Sequence, residues 1–112
     1  MSCYKTAVFQ NGATATGNGT AHEARTVNDG QYYDCTFQVT GITTATITWE
    51  GTIDGTNWVS ILATNLTSGT AAATATANGL YRATVQGLAQ VRARISAYTS
   101  GTIVVTGVFA DM

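Results

Sequence analysis

The sequence has no proline, few charged residues and little histidine or cysteine, and each shortage argues against a class of protein. Its 112 residues include 5 lysines and arginines, 6 aspartates and glutamates and 1 histidine, which gives a formal net charge of −1. Charged residues make up 10% of the chain, against about 25% in ordinary globular domains. Without a basic stripe to neutralise phosphates or anionic headgroups, we expect neither nucleic-acid binding nor attachment to a membrane surface.

Long apolar runs are also missing. No stretch approaches the roughly 20 apolar residues that a membrane-spanning helix needs, so no transmembrane segment is expected. The opening MSCYKTAVFQNG lacks the basic start and apolar centre of a secretory signal, which predicts synthesis in the cytoplasm. Cys3 and Cys35 could form a disulfide in an oxidising compartment, but burial as small apolar side chains is the favoured interpretation.

The side chains that catalysis usually requires are scarce. His22 is the only histidine and has no second metal ligand at a useful spacing. Asp29 and Asp54 each precede a glycine and are interpreted as turn formers whose carboxylates bind nearby backbone. No paired carboxylates and no serine, histidine and aspartate arrangement can be assembled. We therefore expect no enzymatic activity, no metal and no cofactor.

What the sequence does contain is typical of β-structure. It has 22 threonines and 12 glycines, and clusters of glycine, asparagine and threonine separate short runs of alternating apolar and polar residues. This pattern predicts an all-β fold, a single antiparallel β-sandwich (Ig-like or jelly-roll-like) of about seven to nine short strands spanning residues 1–112. Residues 1–12 would form an arm, an edge strand or simply the first strand of the sandwich.

Several strands can be assigned a buried face. In CTFQV (35–39) the odd-numbered residues share one face, and in QVRARISAY (90–98) the aliphatic residues alternate with Arg92 and Arg94. The run TIVVTGVFA (102–110) is apolar on both faces, which predicts a central strand. Residues 70–77, TAAATATA, are interpreted as an extended edge or a mobile loop.

The segment WEGTIDGTNW (49–58) predicts a hairpin, because Asp-Gly favours a tight two-residue turn. That register places Trp49 and Trp58 on one buried face, with Trp58 covering Gly51 on the neighbouring strand. A three-residue loop would instead place the two indoles on opposite faces. The alternative role for Trp58 is stacking on a ligand.

Three of the five basic residues lie close together in the sequence, as Arg82, Arg92 and Arg94. One interpretation is that they are solvated or paired with carboxylates such as Glu50. The other is that Arg92 and Arg94 contact a partner protein, since arginine is enriched at interface hot spots.

Three segments resemble a known group of domains: EGTIDGTNWVSI (50–61), ANGLYRATVQGLAQVRARI (77–95) and YTSGTIVVTG (98–107). Together they are similar to small β-sandwich domains of tailed-bacteriophage virions, and the similarity spans roughly residues 35–107. The long central segment carries most of the specificity. The D-G-x-x-W turn alone also resembles turns in discoidin-like carbohydrate-binding modules.

The resemblance implies a structural role in the virion, most simply that of a head decoration (cement) protein. Such proteins commonly form trimers over the three-fold points of a capsid, often using a terminal arm. The implied partners are the major capsid protein and further copies of the chain, the implied location is the capsid surface, and the candidate contact residues are Tyr4, Phe9, Arg92 and Arg94. The alternative is a carbohydrate-binding or host-adhesion module on a head fibre or tail, in which Trp58 contacts a host surface glycan.

Overall fold

The computed structural model describes residues 4–25 and 31–110, and in these ranges all regular structure is β-strand. The nine strands are β1 (Tyr4–Ala13), β2 (His22–Glu23), β3 (Asp34–Thr52), β4 (Val59–Ser60), β5 (Ala63–Asn65), β6 (Ala71–Ala72), β7 (Thr74–Ala75), β8 (Gly79–Thr84) and β9 (Gln90–Ala110). All of their pairings are antiparallel, and the predicted all-β, sandwich-like fold is confirmed.

The fold is organised by two unusually long strands, β3 and β9, which pair with each other along nearly their whole length. Their register is irregular between Thr40 and Ile47, where β3 crosses the region of Gly101 in β9. Gly41 and Gly101 have φ angles of 82° and 124°, which side chains other than glycine rarely adopt. The pair of strands therefore bends at this point without losing its pairing.

The bend creates two layers from one continuous ladder. In the first layer, the strand order is β1, the second half of β9, the first half of β3, β8, β5 and β6. In the second layer, the other halves of β9 and β3 pair with each other and with β2, β4 and β7. Tyr4 at the start of β1 is the direct partner of Ala110 at the end of β9.

An aromatic cluster fills the space between the layers. Phe37 and Trp49 lie in the two halves of β3, and their rings stack with centroids 4.4 Å apart. A straight strand would separate these residues by about 40 Å, so their contact shows how far β3 folds over. Phe9 packs against Phe37 at 5.1 Å and against Phe109 at 5.9 Å, which joins β1 and β9 to the same core.

The predicted alternation is confirmed in the long strands. Cys35, Phe37 and Val39 are buried, and so are Val91, Ala93 and Ile95, while Arg92 and Arg94 lie on the other face. Ala97 departs from the pattern because it is exposed where β9 approaches the bend. The run 102–110 is central as predicted, since it lies between β1 and β3.

Two of the clusters of glycine and threonine that the sequence pattern places between short strands do not end a strand. Residues 40–44 and 99–102 lie within β3 and β9 at the bend, so the prediction of turns there is wrong. Their glycines let the chain change direction while it remains extended and paired. Residues 70–77 include the short extended strands β6 and β7, as one of the two interpretations held.

The opening segment contributes the first strand. Residues 4–13 form β1, which pairs with β9 at one edge of the first layer. Residues 1–3, and with them Cys3 and its bonding state, lie outside the described ranges. No helix in those ranges is long and apolar enough to cross a membrane.

Candidate functional site

The loop between β3 and β4 is organised by the carboxylate of Asp54. Its Oδ1 accepts hydrogen bonds from the backbone amides of Asn57 and Thr56, both at 2.8 Å, and from the hydroxyl of Thr52 at 2.9 Å. Its Oδ2 accepts a bond of 2.7 Å from the side-chain amide of Asn57. These bonds, led by the Asn57 amide, hold the pKa of Asp54 well below its usual range. Asp54 is thus a turn former, as predicted.

The predicted two-residue turn is nevertheless wrong. Gly51 pairs with Val59 and Glu50 pairs with Ser60, so the loop has an odd number of residues between the strands. Compared with a two-residue turn, a loop with an odd number of residues moves each side chain of the second strand to the other face of the sheet. Trp49 and Trp58 therefore lie on opposite faces. The wide loop is favoured because the Asp54 carboxylate bonds across it.

The space beside Gly51, which the sequence analysis assigned to Trp58, is filled by Leu88. Its Cδ1 lies 2.6 Å from the position that a Cβ added to Gly51 would occupy.

Trp49 and Trp58 therefore have different environments. Trp49 is fully buried in the core, as predicted. Trp58 is half-buried on the outer face of the second layer, where its ring centroid lies 4.1 Å from the guanidinium carbon of Arg92. The prediction of one shared buried face fails for Trp58.

Arg92 and Arg94 converge on a single carboxylate. Nε of Arg92 donates to Oε1 of Glu50 at 2.8 Å, and Nε of Arg94 donates to Oε2 at 3.1 Å. The carboxylate is nearly enclosed, because only 8% of the Glu50 side chain is exposed, against 16% for Arg92 and 35% for Arg94. Pairing with Glu50, one of the two predicted interpretations, is confirmed. We refer to Glu50, Trp58, Arg92 and Arg94 as the arginine cluster.

Next to the arginine cluster, the outer face of the second layer carries a second group of polar side chains. Beyond Arg94, the hydroxyl of Thr48 donates to Oγ of Ser96 at 2.8 Å, and Ser96 donates to the carbonyl oxygen of Thr46 at 3.3 Å. Thr48 is itself buried despite facing outward. The outer face of the second layer is therefore polar on both sides of Arg94.

The outer face of the first layer has the opposite character. Two rows of paired residues cross its strands, Thr6–Val108–Thr36–Arg82 and Val8–Thr106–Gln38–Leu80. We call the seven uncharged residues of these rows the neutral face. Val108 is 40% exposed and Leu80 is 44% exposed, and a shallow depression of about 330 Å³ lies among the same strands. Arg82 ends the first row at the border of the neutral face, where its Nε donates to the Thr36 hydroxyl at 3.2 Å and lies 3.9 Å from Oδ2 of Asp34.

A second apolar surface lies at the end of the sandwich, beside the Asp54 loop. It is a groove of about 420 Å³ lined by residues that include Ile53, Val59, Ile61 and Leu88. Val59 is 65% exposed there.

The other predicted contact residues are separated by the fold. Tyr4 is exposed at the edge of the first layer, whereas Phe9 is only 1% exposed and belongs to the core, so its predicted role as a surface contact is wrong. His22 packs its ring edge-on against Phe9 at 4.8 Å, and its Nε2 lies 2.7 Å from the carbonyl oxygen of Val8. The alternating pattern could have identified Phe9 as a core residue, because it shares the parity of the buried Ala7.

Cys35 is an inward-facing residue of β3. Burial raises the pKa of its thiol well above its usual range, with a smaller contribution from the neighbouring Asp34 carboxylate. Such a thiol is unreactive in the folded protein. Across residues 4–25 and 31–110, no three histidine, cysteine or acidic side chains come together as metal ligands.

The geometry defines a small antiparallel sandwich whose two outer faces differ in polarity. The profile of the XepA family matches residues 4–109, and the chain therefore belongs to that family. Curated protein sequences give no significant match.

Two solved structures share the fold. One is the SPBc2 prophage-derived protein YomS, with a TM-score of 0.85 and 18% identity over 99% of this chain and 96% of that one. The other is the PBSX exported protein XepA, with a TM-score of 0.88 and 18% identity over 98% of this chain. The chain spans 38% of the XepA structure. At this level of identity, the two structures show that the chain shares their fold.

Proposed function

We propose that the protein is a non-enzymatic structural component of a phage particle, a decoration protein that binds the assembled head through protein–protein contacts. The neutral face is the observation that supports this function most directly. It is a sheet surface with several exposed apolar side chains, including Val8, Leu80 and Val108, and it is not covered by any other described part of the chain.

The chemistry of the neutral face specifies the kind of surface it fits. Threonine methyl groups, valine and leucine offer apolar contact, and the hydroxyls and the Gln38 amide offer uncharged hydrogen bonds. A charged group placed over these seven residues would lose hydration without gaining an ion pair. The part of the shell that covers them is therefore uncharged, with small apolar and hydroxyl-bearing side chains.

The size of the neutral face favours binding by several copies at once. Four strands spaced about 4.8 Å apart, each contributing one or two residues, give a surface of only a few hundred Å². A stable interface commonly buries about 800 Å² on each partner. One copy would thus bind weakly, whereas a homo-oligomer such as a trimer would gain avidity on a repeating shell.

Glycan binding through Trp58 is the competing function, and it has less support. A sugar-stacking platform needs an open aromatic face, and the guanidinium group of Arg92 lies against one face of the Trp58 indole. We therefore favour the decoration role over host adhesion.

The test is co-sedimentation of the purified protein with expanded heads of the phage that encodes it. We expect saturable binding, and heads that release their DNA at a higher temperature when the protein is bound, because it binds only the assembled state. Native mass spectrometry should show a homo-oligomer. A strictly monomeric protein that stays in the supernatant would refute the proposal.

A pair of valine variants tests which surface is used. Val108→Asp places a charge on the neutral face, and Val59→Asp places the same charge on the apolar groove at the end of the sandwich. Both side chains are exposed, so both variants should fold. Loss of head binding in Val108→Asp alone would support the neutral face, and loss in Val59→Asp alone would assign binding to the groove instead. A glycan array that binds the wild type but not Trp58→Ala would favour host adhesion.

A further inference from the structure

The arginine cluster carries more positive than negative charge. Two guanidinium groups share the one carboxylate of Glu50, which leaves one positive charge without a counterion within the cluster. Two other acids of the second layer and its loop have different partners, since Glu23 accepts a bond from Gln90 at 2.6 Å and Asp54 is the centre of its loop. The cluster would become neutral on binding one more anionic group.

The hydrogen bonds of the two arginines leave their terminal edges available. Both bind Glu50 through Nε, and neither forms a hydrogen bond from its Nη atoms to another described residue. The Nη edge of a guanidinium is the part whose paired N–H groups match the two oxygens of a carboxylate. Arg94 is the more accessible of the two, with 35% of its side chain exposed.

The same contacts hold the guanidinium groups in place before any ligand arrives. Arg92 is fixed on one side by Glu50 and on its flat surface by the Trp58 ring, 4.1 Å away. A side chain that is already ordered loses little conformational entropy on binding. Tryptophan and arginine are also among the residues enriched at interface hot spots.

We propose that the arginine cluster is a binding site for a carboxylate group on a partner protein, held by the Nη atoms of Arg94 and Arg92 beside Trp58. An aspartate or glutamate side chain on an extended partner segment has the required charge and planar shape. The site lies on the opposite side of the sandwich from the neutral face. This inference therefore goes beyond the proposed decoration function, and the site would bind a carboxylate whether or not the neutral face binds a head.

The test is a titration of the wild-type protein with hexaglutamate peptide, followed by NMR. We expect the indole N–H resonance of Trp58 and the Nε–H resonances of Arg92 and Arg94 to shift in a saturable way. Hexaglutamine, which has the same length without charge, should cause no shift. Shifts centred on other parts of the chain, or no saturable shift at all, would overturn the proposal.

Variants of Arg94 test the role of the guanidinium fork. Arg94→Gln should weaken hexaglutamate binding about tenfold, the effect of losing a hydrogen bond to a charged group. Arg94→Lys keeps the charge but not the paired donors, and its affinity should lie between those of Arg94→Gln and the wild type. Melting temperatures of both variants would show whether they fold. If either does not, the chemical-shift changes of the wild-type protein on titration with hexaglutamate decide whether the arginine cluster binds a carboxylate.

The matched control is Arg82→Gln, which removes a strand arginine from the other side of the sandwich. Its affinity for hexaglutamate should equal that of the wild type. Equal weakening in Arg82→Gln and Arg94→Gln would show a general charge effect and refute the site. Tighter binding of a trigalacturonate oligosaccharide than of hexaglutamate would also refute it, because the partner would then be an acidic glycan. No phage heads are used, so failure of this test and failure of the decoration proposal are distinguishable.

Discussion

The indole of Trp49 is enclosed between the layers, while that of Trp58, across the same hairpin, lies on the outside. Trp49 stacks on Phe37 and lies 5.4 Å from Tyr81, so it connects both halves of β3 with β8. Trp58 contacts the guanidinium of Arg92 and remains partly exposed. The two side chains should therefore contribute very different amounts to stability.

We expect Trp49→Ala to lower the free energy of unfolding by about 3–5 kcal/mol, because it leaves a large cavity in the core. Trp58→Ala should cost about 1 kcal/mol, the size of a partly exposed cation–π contact. Urea denaturation followed by far-ultraviolet circular dichroism measures both values. A Trp49→Ala variant no less stable than Trp58→Ala would contradict the assigned packing.

The positions of these residues were only partly predictable from the sequence. The alternation in β3 is strong enough to place Trp49 in the core. The environment of Trp58 depends on whether the loop has an odd or even number of residues, and that number is decided by the hydrogen bonds of Asp54. The backbone preferences of an Asp-Gly pair favour a two-residue turn. They do not account for the hydrogen bonds that the Asp54 carboxylate accepts from the backbone amides of Thr56 and Asn57, and these bonds require the longer loop. The convergence of Arg92 and Arg94 on Glu50 follows from strand pairing, which required the register of β3 against β9.

Among the strands, the bend shared by β3 and β9 is the feature that determines the architecture. A Cβ added to Gly41 would lie 1.8 Å from the carbonyl oxygen of Thr102, and one added to Gly101 would lie 2.5 Å from the carbonyl oxygen of Gly41. The two backbones can cross at this distance only because both residues lack side chains. The two glycines do turn the chain locally, but the pairing between β3 and β9 keeps both strands continuous through the bend.

The glycine at the bend can be compared with one in an open loop. Gly41→Ala combines an unfavourable φ with a backbone clash, so we expect a loss well above the roughly 1–2 kcal/mol that the φ angle alone costs. Gly69 has a similar φ of 78° and no atom within 4 Å of an added Cβ, so Gly69→Ala should show only the smaller loss. Thermal denaturation of the two variants measures the difference. Equal melting temperatures would mean that the bend tolerates a side chain.

At the scale of the whole molecule, each layer is built partly from the same two strands. Neither layer has a separate set of strands that could remain folded after the other is lost. The aromatic core is also shared, since Phe37 belongs to the first layer and Trp49 to the second. The two layers should therefore gain and lose structure together.

We expect a single unfolding transition in urea, with the same midpoint for tryptophan fluorescence and for far-ultraviolet circular dichroism. Fluorescence reports on the surroundings of two residues in the second layer and its hairpin, whereas circular dichroism reports on the strands of both layers. Coincidence of the two curves is the accepted sign of two-state unfolding. Separate midpoints would show that one layer unfolds first.

The pairing of Tyr4 with Ala110 has a practical consequence for protein engineering. Paired residues on adjacent strands have Cα atoms only about 5 Å apart, so the entry and exit points of the sandwich are neighbours. The unit could be inserted into a surface loop of a carrier protein with short linkers, since it would hardly separate the ends of that loop. In such a chimera the edge next to Tyr4 would face the carrier, while the Asp54 loop would be free to display a grafted peptide.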